Sequence, residues 1–164
     1  MPFLQTGYKR LFYTDTPPAD GASPRSTLVL THGLGSTSSY YFPLIPALTS
    51  APNHFRCIAY DTTGQGQSPY TQVEQSIATL AEDVIGVLDA LKVEKAVVVG
   101  HSMGAVVAPY VAGRYRERIV AAVLIGPVLP SPAARETFEK RIAAVEKGSR
   151  LPAGSAGLRR RWRR

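Results

Sequence analysis

Four short apolar runs, each bounded by turn-forming residues, constrain the fold of this chain more than any other feature. They alternate with segments of helical periodicity along most of the sequence. Each run is apolar at successive positions, which is typical of strands that helices cover on both faces of a sheet. The pattern predicts an α/β fold with a mostly parallel, doubly wound sheet. The predicted strands are 27–31, 55–60, 96–99 and 119–125.

The helices between these strands are marked by apolar spacing and by a capping residue. The clearest one runs from Ile77 to Leu91, and Ser76 stands at its N-cap position. Glu82 and Asp83 fall on the opposite, polar side of this helix. Further helices are expected within 36–48, at 103–115 and at 133–147, and a hairpin of 3–6 with 10–15 about Gly7 opens the chain.

Positive charge is concentrated in the last fifteen residues. The whole sequence carries +7 at neutral pH, and residues 150–164 contain six arginines and no acid. Residues 1–149 therefore carry only +1, which does not favour nucleic-acid binding by a folded domain. We expect residues 1–149 to form the folded part and residues 150–164 to form an Arg-rich, disordered tail.

Cysteine content and hydropathy narrow the class of protein further. The single cysteine excludes an internal disulfide framework and a multi-cysteine zinc site, and we expect no metal or cofactor. No run reaches the roughly 18 apolar residues of a membrane span. The first ten residues lack a signal-peptide pattern, so a cytoplasmic protein without membrane or nucleic-acid partners is expected. The oligomeric state is left open.

The motif that carries chemistry is Gly100-His101-Ser102-Met103-Gly104, which fits G-x-S-x-G between a predicted strand and a predicted helix. The two glycines allow a sharp turn that lifts the serine hydroxyl out of the sheet edge. The next helix points its N-terminal amides at the same place, where they would stabilise developing negative charge. The pattern predicts Ser102 as a nucleophile. Helix capping by Ser102 is the alternative, and it does not account for both glycines.

A second glycine-rich turn, His32-Gly33-Leu34-Gly35, follows the first predicted inner strand. The amides of Leu34 and Met103 would form a two-donor oxyanion hole, with both pairs of glycines supporting the loops. An ordinary turn is the alternative for this segment.

Three aromatic residues, Tyr40, Tyr41 and Phe42, come shortly after this turn. They are expected to line a pocket for the acyl group of a substrate, or equally to pack in the core. Cys57 lies within a predicted buried strand, and we expect it to be a core residue and not a nucleophile.

Three elements in this order resemble the α/β-hydrolase superfamily, in its cofactor-independent esterase, lactonase and perhydrolase branch. The elements are the turn 32–35, the loop Asp61-x-x-Gly64-x-Gly66-x-Ser68 and the elbow 100–104. The resemblance covers residues 1–149 and is most similar to small enol-lactonase-type hydrolases. It implies cofactor-independent hydrolysis of a small-molecule carboxylic ester or lactone by Ser102, with His32 and Asp61 in structural roles. Thr63 departs from the Arg or Pro usual at that position.

In that superfamily the catalytic acid and histidine follow the nucleophile, and no histidine follows Ser102 here. His32, His54 and His101 are poorly placed to act as the base. We therefore expect a partial fold that lacks later strands, with a cap beginning near 130–149. From 150 onward we expect an altered reading frame, a retained intron or a wrong gene model.

Two other functions are considered. One is a non-catalytic hydrolase-like protein that binds a small molecule or a partner. The other is phosphate binding or nuclear targeting by the Arg-rich tail. In a partial fold the strand 119–125 would be an uncovered apolar edge, so poor solubility without a partner is expected.

Overall fold

The computed structural model describes residues 2–147. The chain divides into two compact units after Pro127. The predicted Arg-rich tail at 150–164, and the change of reading frame proposed there, lie outside the described residues.

The first unit contains six strands and three α-helices among its described residues. The strands are β1 (Phe3–Thr6), β2 (Lys9–Thr16), β3 (Thr27–Thr31), β4 (Arg56–Tyr60), β5 (Ala96–His101) and β6 (Ile119–Ile125). The helices are α1 (Ile45–Thr49), α2 (Ile77–Ala90) and α3 (Gly104–Arg114), and a short 3-10 turn spans Ser38–Tyr41. The helix predicted within 36–48 is thus split in two, because Pro43 and Pro46 have no amide to donate to a continuous helix.

The strands form one sheet with the order β1-β2-β4-β3-β5-β6. The last four in this order are parallel, and the hairpin of β1 and β2 joins them in antiparallel fashion through β4. The mostly parallel α/β sheet predicted from the sequence is confirmed. Because β3 and β5 are neighbours and Thr31 pairs with Gly100, the two glycine-rich turns meet at one edge of the sheet.

The inner strands are buried on both faces. A larger hydrophobic cluster, which includes Val29 and Val98, packs between the sheet and helices α2 and α3. A smaller cluster, which includes Leu30 and Cys57, lies on the other face with α1 and the 3-10 turn. Each such valine or leucine contributes about 1.5–3 kcal/mol when fully buried. Cys57 is confirmed as a core residue.

Helix α2 begins with the predicted cap. The Ser76 side chain accepts from the Thr79 amide at 3.2 Å, and the Thr79 hydroxyl accepts from the Ser76 amide at 2.9 Å. Such reciprocal capping contributes about 1 kcal/mol. Asp83 does not lie on a polar outer face, as the pattern predicted, but is buried. The physical reason is the Lys9 ammonium of β2, which donates to both Asp83 carboxylate oxygens at 2.9 Å.

Strand β6 differs from the inner strands because, within residues 2–147, only β5 pairs with it. Three of its apolar residues are largely exposed to solvent: Val120 is 58%, Val123 is 46% and Leu124 is 42% exposed. The expected uncovered apolar edge is present in the described chain. Poor solubility, which we inferred from it, stays a prediction.

The second unit contains α4 (Pro132–Glu146), close to the helix predicted at 133–147. The Ser131 hydroxyl accepts from the Ala134 amide at 3.1 Å at its start. Arg135 with Glu139 is one of two ion pairs spaced four residues apart on its surface, and such pairs contribute about 0.3–0.5 kcal/mol each. Whether α4 begins a cap stays a prediction. Within the described residues, every helix falls short of the length and apolar character that a membrane span needs.

Candidate active site

Ser102 stands at a sharp turn between β5 and α3. Its φ angle of 52° lies in the left-handed region, which is strained for a residue with a side chain. A Cβ atom at Gly100 would collide with the Gly104 carbonyl, and one at Gly104 would collide with the Thr31 carbonyl. Both glycines are therefore required by close backbone approach. The Ser102 amide donates to the Ile125 carbonyl at 3.0 Å, which anchors the turn to β6.

Helix α3 starts directly after the serine. The Ser102 carbonyl accepts from the Ala105 amide at 3.0 Å, and the Met103 carbonyl accepts from Val106 and Val107 at 3.0 and 3.1 Å. The Met103 amide itself donates to no acceptor within residues 2–147. It is one of the unpaired amides that every helix N-terminus carries, and it lies at the positive end of the helix dipole.

The turn after β3 is closed by a hydrogen bond from the Ser36 amide to the Gly33 carbonyl at 3.1 Å. Gly35 has a φ of 72°, as the third position of a type II turn requires. A trans peptide directs its N–H opposite to its C=O, so the Leu34 amide points away from the groups bound to the Gly33 carbonyl. That amide, too, has no acceptor within residues 2–147. A Cβ at Gly33 would lie 3.1 Å from the Ser102 Cβ, which brings this turn against the elbow.

His32 is fully buried and joins the two loops that flank the site. Its Nε2 accepts from the Thr62 amide at 3.0 Å, so the ring proton is on Nδ1, which donates to the Gly33 carbonyl at 2.8 Å. Burial lowers the pKa of this imidazole and favours the neutral form. His32 has the structural placement that the resemblance implied.

Asp61 braces the same region from the end of β4. One carboxylate oxygen accepts from the Ser38 amide at 2.7 Å, and the other accepts from the Gln67 amide at 2.6 Å. The Ser68 hydroxyl donates to the Asp61 carbonyl at 2.6 Å. A side chain at Gly66 would overlap the Asp61 carboxylate, which explains this glycine of the loop. The geometry agrees with the bracing role that the resemblance implied.

The three aromatic residues after the turn have different surroundings. Tyr41 is buried, and its hydroxyl donates to the Thr31 carbonyl at 2.9 Å, so it packs in the core between β3 and β5. Burial raises the pKa of its hydroxyl well above the usual value. Tyr40 and Phe42 remain more than two-fifths exposed, and the Tyr40 ring stacks on His101 with centroids 4.1 Å apart. Sequence reasoning missed this stack, because no periodicity connects the two positions.

No side chain among residues 2–147 hydrogen-bonds the Ser102 hydroxyl. The three histidines are engaged elsewhere: His32 holds the two loops, His54 contacts Asp20 at 3.2 Å, and His101 stacks on Tyr40. The two described surface clefts, of about 340 and 230 Å³, lie at the end of α2 and beside the β1–β2 hairpin, not at Ser102. Within the described residues, no three His, Cys, Asp or Glu side chains cluster as metal ligands would.

Known proteins are similar to this chain in sequence and in structure. A protein named "Putative carbamate hydrolase RutD" from Caulobacter sp. (strain K31) is 33% identical over 126 residues, which are 76% of this chain and 46% of that protein. The chain spans about half the length of the curated relatives it matches.

Two solved structures are similar at comparable identity. A hydrolase from Pseudomonas aeruginosa is 34% identical with a TM-score of 0.78, over 95% of this chain and 56% of that one. The enol-lactonase from Burkholderia xenovorans LB400 is 33% identical with a TM-score of 0.65, over 72% of this chain and 44% of that one.

The family model described as alpha/beta hydrolase fold matches residues 26–157, which include both glycine-rich turns and the Asp61 loop. That match covers most of the chain, and the sheet order and the strained serine turn agree with it. The chain therefore belongs to the α/β-hydrolase fold family.

Proposed function

We propose that this chain carries the nucleophile and the oxyanion donors of a serine hydrolase that acts on carboxylic esters or lactones. The observation that carries the proposal is the strained Ser102 at the β5–α3 elbow, packed against Gly33 of the second turn. A serine held at positive φ only to cap a helix would need neither the two crowded glycines nor the adjacent turn.

In the proposed reaction the Ser102 oxygen attacks the carbonyl carbon of the substrate. The carbonyl oxygen becomes negatively charged, and the free amides of Leu34 and Met103 donate to it. Loss of one such donor typically slows an acyl transfer about 10²–10³-fold. Collapse of the tetrahedral intermediate breaks the bond to the alcohol oxygen, which takes up a proton in place of the one that the serine hydroxyl released. Water then hydrolyses the acyl-serine ester to the carboxylic acid and free serine.

A proton acceptor for the serine is not found among residues 2–147, so the proposal assigns none to this part of the chain. Without a base, an oxyanion hole and substrate binding alone retain roughly 10³–10⁴-fold catalysis over water. We expect correspondingly slow turnover from the chain of 164 residues.

The surroundings of Ser102 favour an uncharged acyl group. Tyr40 and Phe42 are the exposed aromatic residues after the turn and are proposed to line the acyl side, with the exposed Leu34 beside them. Tyr41, proposed for the same pocket from the sequence, supports it from below by holding the ends of β3 and β5. We also propose that the protein is cytoplasmic and has no cofactor, membrane partner or nucleic-acid partner.

A carbamate is the second candidate substrate class. The observation that favours it is that curated relatives 31–34% identical to this chain are named as putative carbamate hydrolases. A carbamate carbonyl would meet the same nucleophile and the same two amides, so the elbow itself does not discriminate between the two classes.

The proposal is tested by incubating the chain with a fluorophosphonate and mapping the modified peptide by mass spectrometry. We expect covalent modification of Ser102, and none of Ser102→Ala. Acetate esters, a γ-lactone and a phenyl carbamate are then compared for turnover. Ligand binding without modification of Ser102 would instead indicate a non-catalytic hydrolase-like protein.

A further inference from the structure

His101 precedes the proposed nucleophile and has no part in the proposed chemistry. Its imidazole stacks nearly parallel on Tyr40, with 16° between the ring planes. Its Nδ1 is buried and, within residues 2–147, has no hydrogen-bond partner. Buried polar atoms without partners are rare in native structures, so this nitrogen needs a physical explanation.

The buried Nδ1 of His101 lies against the turn at 33–36, which is proposed to supply an oxyanion donor. A Cβ placed on Gly33 would be 3.2 Å from the His101 Nδ1, so the imidazole packs directly over the Gly33 backbone. On the carbonyl side, the His32 Nδ1 donates to the Gly33 oxygen at 2.8 Å. The two imidazoles therefore hold the Gly33–Leu34 peptide, whose N–H is the proposed oxyanion donor.

The contacts of the two rings favour opposite tautomers. His32 carries its proton on Nδ1, because its Nε2 accepts from the Thr62 amide. A proton on the Nδ1 of His101 would be a buried N–H without an acceptor, whereas an unpaired acceptor is tolerated more often. The proton of His101 therefore belongs on Nε2.

We propose that His101 is a positioning residue of the oxyanion hole. Its Nε2-protonated ring, stacked on Tyr40, holds Gly33 so that the Leu34 amide faces the Ser102 oxygen. The inference rests on the proposed serine-hydrolase function, because it concerns an oxyanion donor of the same site. The ring acts through its shape and through its stack on Tyr40, and it transfers no proton in the reaction.

The tautomers are tested by NMR of the chain with ¹⁵N-labelled histidine. We expect His101 to show an unprotonated Nδ1 and a protonated Nε2, and His32 to show the reverse. The signals that disappear in the spectra of His101→Phe and His54→Asn assign the three imidazoles to their residues. A protonated Nδ1 on His101 would overturn the inference whether or not the chain is catalytically active.

The positioning role is tested by the rate at which a fluorophosphonate modifies Ser102. His101→Ala removes the ring and should slow modification about tenfold or more, because small displacements of a catalytic donor have large effects on rate. His101→Phe keeps the ring and the stack and should restore the rate to within about threefold of the native chain. The control is His54→Asn, in the loop before β4. His54 has a φ of 49°, which asparagine tolerates, so this variant should leave the rate unchanged.

The possible results separate the inference from the proposed function. Absence of modification at Ser102 in the native chain would contradict the proposed function and leave the NMR experiment to decide the tautomers. Normal modification of His101→Ala, or equal loss in His101→Phe and His101→Ala, would overturn the positioning role. If His101→Ala does not fold, Tyr40→Leu removes the aromatic stack but keeps an apolar side chain on the proposed acyl side. It should slow modification severalfold, and an unchanged rate would overturn the inference.

Discussion

Strands β5 and β6 are parallel neighbours of similar composition, yet their surroundings are opposite. Val98 and Val99 of β5 are almost completely buried, whereas Val123 and Leu124 of β6 retain 46% and 42% of their exposure. The cause is the number of neighbours, since β5 pairs with strands on both sides and β6 pairs only with β5 within the described residues. An apolar run thus predicts a strand, but its burial depends on what the rest of the fold places beside it.

This difference has a consequence for the site. Ser102 follows the strand that is fixed on both sides, and its amide is held by Ile125 at the end of the edge strand. The turn at 33–36, which is proposed to supply an oxyanion donor, follows β3, the other neighbour of β5. The proposed nucleophile and oxyanion donors therefore follow strands that are paired on both sides, and strand β6 contributes one anchoring carbonyl among the described residues.

The largest expected effect comes from crowding the junction of β5 and α3. In Gly104→Ala the added methyl group would collide with the Thr31 carbonyl, which is backbone and cannot yield cheaply. We expect a loss of at least about 3 kcal/mol in the free energy of unfolding, measured by urea denaturation. The matched control is Gly113→Ala in the same helix, where nothing lies within 4 Å of the added carbon. It should be neutral or stabilising by up to about 1 kcal/mol, and equal losses in both variants would refute the crowding explanation.

A smaller loss of unfolding free energy is expected when strands β5 and β6 are compared directly by valine-to-alanine substitutions. Val98→Ala removes two buried methyl groups and should cost about 2 kcal/mol of unfolding free energy. Val123→Ala removes the same atoms from the exposed edge and should cost about 0.5 kcal/mol or less. Urea denaturation gives both losses from the shifts in midpoint, provided that the m-values of the two variants are equal. A loss at Val123 as large as that at Val98 would mean that β6 is covered in solution, for example by a second copy of the chain.

The last comparison concerns the reactivity of a thiol in the interior and of one on the exposed strand. Burial raises the pKa of Cys57 in β4 to about 11, so at pH 8 only about one thiol in 1,000 is ionised, and access is blocked as well. In a Cys57→Ser background, Val123→Cys should present an exposed thiol of ordinary pKa. We expect its alkylation rate to level off above about pH 8.5. The rate for Cys57 should still rise with pH toward 11. If the folded native chain and the folded Val123→Cys variant were alkylated at similar rates at pH 8, the proposed difference in exposure between Cys57 in β4 and position 123 in β6 would be contradicted.

Much of the fold was predictable because its strands and helices are encoded locally. Four apolar runs located the inner strands, and Ser76 located the start of α2. The two glycine-rich motifs located both turns of the site, because close backbone approach demands glycine whatever surrounds it. The burial of Asp83 was not predictable, since it depends on Lys9, 74 residues away in sequence.

The site was predictable only where a backbone requirement defines it. Gly33, Gly100 and Gly104 are recognisable because each meets another segment of backbone or a side chain at close range. The stacking of Tyr40 on His101 leaves no sequence signal, because any flat side chain at either position would be compatible with the same pattern. Tyr41 has the same ambiguity, and its core position follows from the two carbonyls that its hydroxyl contacts.

The Asp61 brace has a consequence for the order in which the molecule assembles. Its carboxylate connects Ser38 to Gln67, and the contact with the Ser38 amide, 23 residues away in sequence, forms only when β3 and β4 have paired. The elbow at Ser102 additionally requires β5 to dock against β3. Closing such separated segments costs chain entropy before any contact compensates for it. We therefore expect the loops around Ser102 to gain their native structure after the folding barrier, so that Asp61→Asn speeds unfolding more than it slows folding.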